Sequence, residues 1–164
     1  MTTAHAFTSR PATPDDAPAI AHIYTQGIED RTSTFETRPR SAEDIRGWFD
    51  GVHPIVVIER QHQVIAFAST STYRPRDCYA GIAEFSVYVE RSARGSGAGR
   101  AAMNALIAAA RDAGYGKLVS RVFPENSASL QLLAGLGFRQ VGTYERHGQL
   151  EGVWKDVVIV ERLL

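Results

Sequence analysis

Residues 84–100 constrain the fold of this chain more than any other segment. Their first half alternates between apolar and polar side chains, with Phe85, Val87 and Val89 on one face, and this period of two predicts a β-strand. Their second half carries glycine at every other position, which predicts a turn. Because the alanine-rich segment 101–110 follows directly and favours a helix, the sequence predicts a strand, a glycine turn and a helix in succession.

A glycine turn between a strand and a helix is suited to binding an anion. Gly95, Gly97 and Gly99 let the backbone come close to a phosphate and adopt positive φ, and the first helical turn offers unpaired N–H groups and a positive dipole end. A P-loop is excluded because Gly99 is followed by Arg100-Ala101 instead of Lys and Ser or Thr. A dinucleotide fingerprint is excluded because Arg100 stands where its third glycine is required. A plain glycine-rich turn without a ligand remains the alternative.

Length, charge and cysteine content narrow the classes of function. The 164 residues are predicted to form one domain, residues 1–164. Because 18 Lys and Arg balance 18 Asp and Glu, no overall field favours nucleic acid or an anionic membrane as a partner. The single cysteine, Cys78, excludes an intramolecular disulfide and is typical of a reducing compartment. The sequence has no apolar run of signal-peptide or membrane-spanning length, so a cytoplasmic protein is expected.

Hydrophobic periodicity and capping residues predict the remaining elements. Strands are predicted at 7–12, 55–59, 64–73, 117–123, 138–145 and 153–163. Helices are predicted to follow the caps Thr13, Ser41 and Asn126, in addition to the helix after the glycine turn. The order β-α-α-β-β-β-α-β-α-β-β predicts a mixed α/β (α+β) fold with a largely antiparallel sheet and one crossover helix.

Matches in a fixed order along the chain point to a known family. The matching segments are Arg10-Pro11-Ala12-Thr13, Ile23-Tyr24, Thr34-Phe35-Glu36, Trp48, 84–89, 94–99, Asn126 with Ser129, 136–138 and 154–157. The motif R-x-x-G-x-G within 94–99 resembles the pyrophosphate-binding loop of the GNAT N-acetyltransferase superfamily, which holds coenzyme A. The predicted order of elements is also that of the GNAT fold, a central, mostly antiparallel sheet with helices on both faces. Within this superfamily the chain resembles the phosphinothricin acetyltransferase group and its relatives that act on arsinothricin and on methionine sulfone or sulfoximine.

The resemblance implies acetyl-CoA as the co-substrate and places its site. Backbone N–H groups of Val87 and Val89 would bond the pantetheine arm, and one of them would polarise the thioester carbonyl. Asn126 resembles the family asparagine that bonds the coenzyme arm, and a helix cap is a compatible alternative role. The residues implied to bind the coenzyme are Val87, Tyr88, Val89, Arg94, Gly95, Ser96, Gly97, Ala98, Gly99, Arg100, Asn126 and Ser129.

The resemblance also implies roles on the amine side of the reaction. Glu84 stands at the start of the central strand, where the family places its general base; a partly exposed strand carboxylate is the alternative. Arg76 and Tyr79 match the family loop that receives the acidic groups of the substrate, and the planar fork of arginine suits a phosphinate, arsonate or carboxylate. Arg74 and Phe35 are further substrate-binding candidates, for which solvated surface and simple packing are the alternatives.

Two departures from the family pattern concern the amine side. Leu133 stands where the family helix usually carries a histidine or tyrosine, so a side chain proposed to assist proton transfer is absent. Leu150-Glu151 replace a common pair of lysine and aromatic residue, with His147 upstream as a candidate to line the pocket or to protonate the thiolate. No two histidines have the spacing of metal ligands, so no metal is expected.

Taken together, the resemblance implies an acetyl-CoA-dependent N-acetyltransferase acting on the α-amino group of a small amino-acid-like compound. A protein or peptide-terminus acetyltransferase and a non-catalytic acyl-CoA-binding module are the alternatives. The resemblance further implies a homodimer, for which the apolar stretch 153–164 could supply an interface.

Overall fold

The computed structural model describes residues 6–164, which form a seven-stranded sheet with helices on both faces. The strands are β1 (Thr8–Pro11), β2 (Ile55–Arg60), β3 (Gln63–Thr72), β4 (Ile82–Val89), β5 (Lys117–Val122), β6 (Arg139–Leu150) and β7 (Val153–Leu163). The α-helices are α1 (Ala17–Asp30), α2 (Ala42–Arg46), α3 (Ala98–Asp112) and α4 (Ser127–Gly135), and short 3₁₀ turns cover Pro14–Asp16, Asp77–Tyr79 and Arg91–Ala93.

The strand order β1-β2-β3-β4-β5-β7-β6 confirms the predicted mixed fold. Neighbouring strands are antiparallel except β4 and β5, which are parallel and are connected through α3. The end of β6 differs from the prediction, because the strand continues to Leu150 instead of ending at Glu145. The local sequence there has no period of two and Arg146 adopts positive φ, but β6 stays paired with β7 across a register shift between Tyr144 and Gly148.

The two faces of the sheet carry separate hydrophobic cores. On one face, α3 and α4 cover Ala83 and Phe85 of β4. On the other face, α1 and α2 cover Phe67 of β3 and the ring of Tyr88. This alternation along β4 agrees with the predicted strand. Gly27 permits the close approach of α1, since a Cβ at this position would lie 2.5 Å from the Tyr88 ring.

A split between β4 and β5 opens a cleft in the middle of the sheet. Their parallel pairing covers only three residues of each strand and ends where Glu84 faces Val119. Beyond Glu84, this edge of β4 has no partner strand among residues 6–164. An unpaired strand edge presents free main-chain N–H and C=O groups. The edge is therefore a place where an extended ligand can bind main-chain groups.

Backbone alternation shows which groups of β4 face the cleft. The N–H of Glu90, directly after β4, donates to the Ile65 carbonyl of β3 at 2.7 Å. Since successive residues of a strand direct their main-chain groups to opposite sides, the N–H groups of Val87 and Val89 point away from β3 and into the cleft.

No helix within residues 6–164 is long and apolar enough to cross a membrane. The described part of the chain also contains no group of three or more His, Cys, Asp or Glu side chains placed to hold a metal ion. Cys78 is exposed in the connection between β3 and β4.

Candidate active site

Three adjoining cavities fill the cleft. The first, which we call the long groove, has a volume of about 610 Å³ and runs along β4 to the glycine turn. The second is a small cavity of about 50 Å³ that is lined in part by Leu133. The third, the Glu84 cavity, has a volume of about 230 Å³ and contains the Glu84 carboxylate. Ser33 and Tyr88 line all three cavities, so the long groove leads to Glu84.

The glycine turn ends the long groove with a set of backbone donors. Gly95 and Gly97 have φ of 78° and 93°, a left-handed conformation that glycine adopts without strain. Gly97 is the N-cap of α3, and its carbonyl accepts the first helical hydrogen bond from the Ala101 N–H at 3.1 Å. The N–H groups of residues 98–100 precede that bond and stand at the positive end of the helix dipole. This end of the groove therefore suits an anion such as a pyrophosphate.

Arg94 connects the glycine turn to its surroundings. Its Nε donates to the Val89 carbonyl at 3.3 Å, and its Nη1 lies 2.7 Å from the Asp30 carboxylate of α1. Burial alone would raise the pKa of Asp30, but hydrogen bonds from Arg94 and Arg91 outweigh this effect and lower it. Arg94 and Arg100 both line the groove. Arg94 thus connects the turn to α1 and adds positive charge beside the end of the groove that suits an anion.

Two carbonyl groups on the open edge of β4 accept hydrogen bonds from side chains, and the N–H groups between them remain available. The Ser120 hydroxyl donates to the Phe85 carbonyl at 2.8 Å, and Arg94 donates to the Val89 carbonyl. The N–H groups of Val87 and Val89 lie between these points and face the groove. They are therefore placed to bond a peptide-like arm as an additional strand would.

The other predicted coenzyme residues surround the same groove. Asn126 lies where the long groove meets the small cavity, and its Oδ1 accepts the Ser129 N–H at 3.3 Å, so it caps α4. The Ser96 hydroxyl donates to the Ala93 carbonyl within the turn at 2.5 Å. Ala98 is buried and seats the first turn of α3 in the core.

The Glu84 cavity brings together a carboxylate and a cation. Oε1 of Glu84 lies 3.5 Å from Nε of Arg121 on β5. The Glu84 side chain is 30% exposed, so it is accessible from the cleft. Arg121 is absent from the residues that the sequence analysis selects. The signal that could have identified it is the alternation of β5, where Leu118 and Val122 enter the α3 core and Arg121 takes the opposite face.

Aromatic rings cover the Glu84 cavity. Phe35, in the loop after α1, packs edge-on against Phe123 with ring centroids 4.9 Å apart. Its ring also lies over Gly148 of β6, where a Cβ would come within 2.8 Å of the ring. Phe35 lines the cavity, as does Phe123. The loop position therefore depends on a contact with a distant strand.

Two tyrosines support the floor of the cavity. Burial raises the pKa of Tyr88 to about 12. Burial, together with the neighbouring Tyr88 and Glu36, raises the pKa of Tyr24 well above its ordinary value. Tyr24 donates its hydroxyl proton to Glu36, which also accepts from Arg40 Nε at 2.6 Å. Both phenols are therefore neutral at physiological pH, and the Tyr24 bond anchors the loop that carries Phe35.

The comparison with protein families identifies the fold and its chemistry. The Acetyltransferase (GNAT) family matches residues 22–138. The chain belongs to the GNAT family of acetyltransferases. It is 35% identical to a phosphinothricin N-acetyltransferase of Alcaligenes faecalis, over 97% of this chain and 83% of the relative. It is 31% identical to an L-methionine sulfoximine/L-methionine sulfone acetyltransferase of Pseudomonas paraeruginosa, over 89% of this chain and 88% of the relative.

Solved GNAT structures have the same fold. A ribosomal-protein-alanine N-acetyltransferase of Brucella melitensis superposes with a TM-score of 0.91 at 32% identity, covering 96% of this chain and 99% of that one. A phosphinothricin acetyltransferase of Sinorhizobium meliloti in complex with acetyl-CoA superposes with a TM-score of 0.89 at 28% identity, covering 96% and 88% of the two chains. This GNAT enzyme is an acetyl-CoA-dependent N-acetyltransferase, which confirms the predicted enzyme class and co-substrate.

Two departures from the family pattern have definite places in this GNAT enzyme. Leu133 is 2% exposed and lines the small cavity, so an apolar side chain occupies the position where a proton donor was considered. His147 is exposed on β6 and packs against Tyr144, with ring centroids 4.6 Å apart. In the described part of the chain, His147 does not line the Glu84 cavity.

The predicted acid-binding residues also lie outside the Glu84 cavity of this GNAT enzyme. The Arg74 guanidinium lies 5.1 Å from the centroid of the Tyr73 ring, and Tyr79 packs edge-on against the same ring at 5.6 Å. Arg76 is exposed just before the 3₁₀ turn that contains Tyr79. Within residues 6–164 none of the three lines the cavities described above. Their binding of a substrate stays a prediction.

Proposed function

We propose that this enzyme acetylates the α-amino group of a small amino-acid-like compound by direct transfer from acetyl-CoA, with Glu84 as general base. The observation that carries the proposal is the position of Glu84. It lies in a cavity that adjoins the open edge of β4, at the point where β4 and β5 separate. A coenzyme arm bonded along that edge would therefore present its thioester beside Glu84.

The reaction needs few groups from the protein. The neutral amine attacks the thioester carbonyl carbon, the C–N bond forms, and the C–S bond breaks. Glu84 accepts the amine proton, directly or through a water, and an N–H of Val87 or Val89 stabilises the negative charge on the carbonyl oxygen. The thiolate leaves along the long groove and takes a proton from water, because Leu133 has none to give.

The proposed substrates are of the phosphinothricin, arsinothricin or methionine sulfone and sulfoximine type. Relatives named for phosphinothricin and for methionine sulfoximine and sulfone support this class. These compounds share an α-amino acid and a tetrahedral oxygen-bearing group at the far end. Arg76 and Tyr79 are proposed to receive that far group, with Arg74 and His147 beside them, while Phe35 walls the near end. Resistance to such a compound is the proposed biological role.

We propose a cytoplasmic homodimer built from one GNAT domain spanning residues 1–164. The side chains of Val153 and Trp154 on β7 are 58% and 54% exposed, which leaves apolar surface for a second copy.

A peptide-terminus acetyltransferase is the second candidate function. The Brucella melitensis structure, named for ribosomal-protein alanine acetylation, favours it at 32% identity.

Release of free thiol from acetyl-CoA separates these functions. The assay compares amino-acid analogues, including phosphinothricin and methionine sulfone, with short peptides. We expect the highest kcat/KM for an amino-acid analogue. A higher value for peptides would favour the second function. Acetyl-CoA binding without thiol release on any of these amines would contradict the proposed function.

A further inference from the structure

Arg121 is a cation in the Glu84 cavity whose donors are not used by the protein. Its guanidinium lies beside the Glu84 carboxylate, with 3.5 Å between Nε and Oε1. It donates no hydrogen bond to any acceptor among residues 6–164, and its side chain is 46% exposed. Arg94 in the long groove differs, because it is bonded to Val89 and Asp30.

The sheet fixes the position of Arg121. Val119 is the pairing partner of Glu84, and both strands run parallel there, so the two residues share a face. Arg121 is two residues further along β5 and lies on that same face. Because Arg121 stands on a strand and not on a loop, the fold places its side chain on the same face of the sheet as Glu84.

The contact between Arg121 and Glu84 is a weak stabiliser. A partly exposed ion pair at this distance, without a hydrogen bond, adds little to stability because water screens it. A cation with free donors in a small cavity instead indicates a place for an anion. Guanidinium binds a carboxylate with two parallel hydrogen bonds.

We propose that Glu84 and Arg121 together bind the head group of a free α-amino acid. The Glu84 carboxylate faces the α-amino group and the Arg121 guanidinium binds the α-carboxylate. This inference rests on the proposed function and specifies its substrate. An α-amino acid carries its two charged groups on one carbon, and the two side chains present opposite charges at a matching separation of 3.5 Å.

The arrangement selects against amines without a free α-carboxylate. In an amide, an ester or a peptide terminus, the acceptor oxygens that Arg121 needs are lost or neutral. A site built to hydrogen-bond a group rejects the analogue that lacks it, because its own donors stay unpaired. Arg121 therefore specifies free amino acids, whereas Arg76 is left for the far end of the substrate.

The test measures kcat and KM for methionine sulfone and for its primary amide, at a series of pH values. The enzymes are the wild type, Arg121→Gln, Arg121→Lys and, as a control, Arg111→Gln on the exposed surface of α3. We expect the wild type to prefer the acid by about 10- to 100-fold in kcat/KM. Arg121→Gln should lose this preference through a higher KM for the acid, with the amide unchanged, and Arg121→Lys should regain part of it. Arg111→Gln should behave as the wild type.

Several results would overturn the inference. Equal losses on acid and amide in Arg121→Gln at every pH would show that Arg121 acts through Glu84 and not on the substrate. Wild-type kcat and KM in Arg121→Gln, or equal kcat/KM of the wild-type enzyme for acid and amide, would show that Arg121 does not recognise the substrate. Either result would leave the proposed acetyltransferase function standing. If no amine releases thiol, the proposed function fails. Calorimetric titration of the acid and of the amide into the coenzyme A complex then tests the inference by itself. The inference stands if the wild type binds the acid more tightly than the amide and Arg121→Gln does not.

Discussion

The long groove and the Glu84 cavity are built in different ways. One contiguous stretch, β4 and the glycine turn up to the start of α3, forms one wall of the groove and supplies its backbone N–H donors, while α1, the loop after it and α4 with its cap form the rest. The Glu84 cavity is formed by side chains from separate elements, among them Phe35 after α1, Glu84 on β4 and Arg121 on β5.

This difference indicates separate tasks for the two regions: the long groove would bind the coenzyme, and the Glu84 cavity would select the amine. In the proposed arrangement, backbone donors bind the coenzyme arm, and most substitutions would leave these donors in place. The side chains of the Glu84 cavity can change one at a time without disturbing β4. We therefore expect substitutions in the two regions to affect different kinetic constants.

The largest expected effect is on turnover, from Glu84→Gln. The substitution keeps the shape of the side chain but removes the proposed base, so kcat should fall by about 10²–10⁴-fold. The loss should shrink at high pH, where more of the amine is already deprotonated. Glu145→Gln, at an exposed position on β6, is the control and should keep the wild-type rate. Near-normal turnover of Glu84→Gln at every pH would show that Glu84 is not the base.

The next effect concerns the glycine turn. Gly97→Val places a β-branched residue at φ of 93° and moves the backbone donors at the start of α3, so the KM for acetyl-CoA should rise by about 10- to 100-fold. Gly114→Val is the matched control, because Gly114 has φ of 94° at the other end of α3 and no heavy atom within 4 Å of the position its Cβ would take. Both variants should lose about 1–3 kcal/mol of stability from strain, measured by urea unfolding. An equal rise in KM for both would mean that strain and not the turn is responsible.

A smaller effect is expected from the cover of the Glu84 cavity. Gly148→Ala would place a Cβ 2.8 Å from the Phe35 ring and displace it, so the KM for the amine should change by about tenfold with that for acetyl-CoA unchanged. Gly142→Ala on the same strand is the control, since its Cβ would meet no heavy atom within 4 Å. A change in the KM for acetyl-CoA as well as in the KM for the amine would show that the two regions are not independent.

The smallest effect is on stability at acid pH, and it concerns Glu90, which directly follows β4. Hydrogen bonds from Gln26 and Ser92 lower the pKa of Glu90 from 4.5 to about 2. A carboxylate whose pKa is lowered by folding stabilises the fold at any pH above its pKa in the unfolded chain. This contribution is lost as the pH falls through its pKa in the folded protein. Glu90→Gln should therefore be less stable than the wild type by about 1 kcal/mol at neutral pH, after allowance for exposure to water. The difference should disappear between pH 4.5 and about 2 in urea unfolding; a constant difference would contradict the assignment.

The sequence predicts the groove better than the cavity for a physical reason. Periodicity, helix caps and the glycines of 95–99 are local signals, and the wall of the groove that carries the backbone donors is made from local structure. The alternation of β5 shows only which face Arg121 takes, because its position beside Glu84 depends on the pairing of β4 with β5. Conversely, Arg76 is conspicuous by residue type, yet the path of its loop keeps it outside the cavity in the described chain. Long-range pairing also explains why β6 reaches Leu150.

Calorimetric titration of acetyl-CoA into Glu84→Gln and Gly97→Val tests the separation of the two regions most directly. Glu84→Gln should bind acetyl-CoA as tightly as the wild type although its turnover is lost, because the backbone donors of β4 and the glycine turn are intact. Gly97→Val should bind at least about tenfold more weakly than Gly114→Val. Weak binding by Glu84→Gln, or wild-type binding by Gly97→Val, would contradict the account.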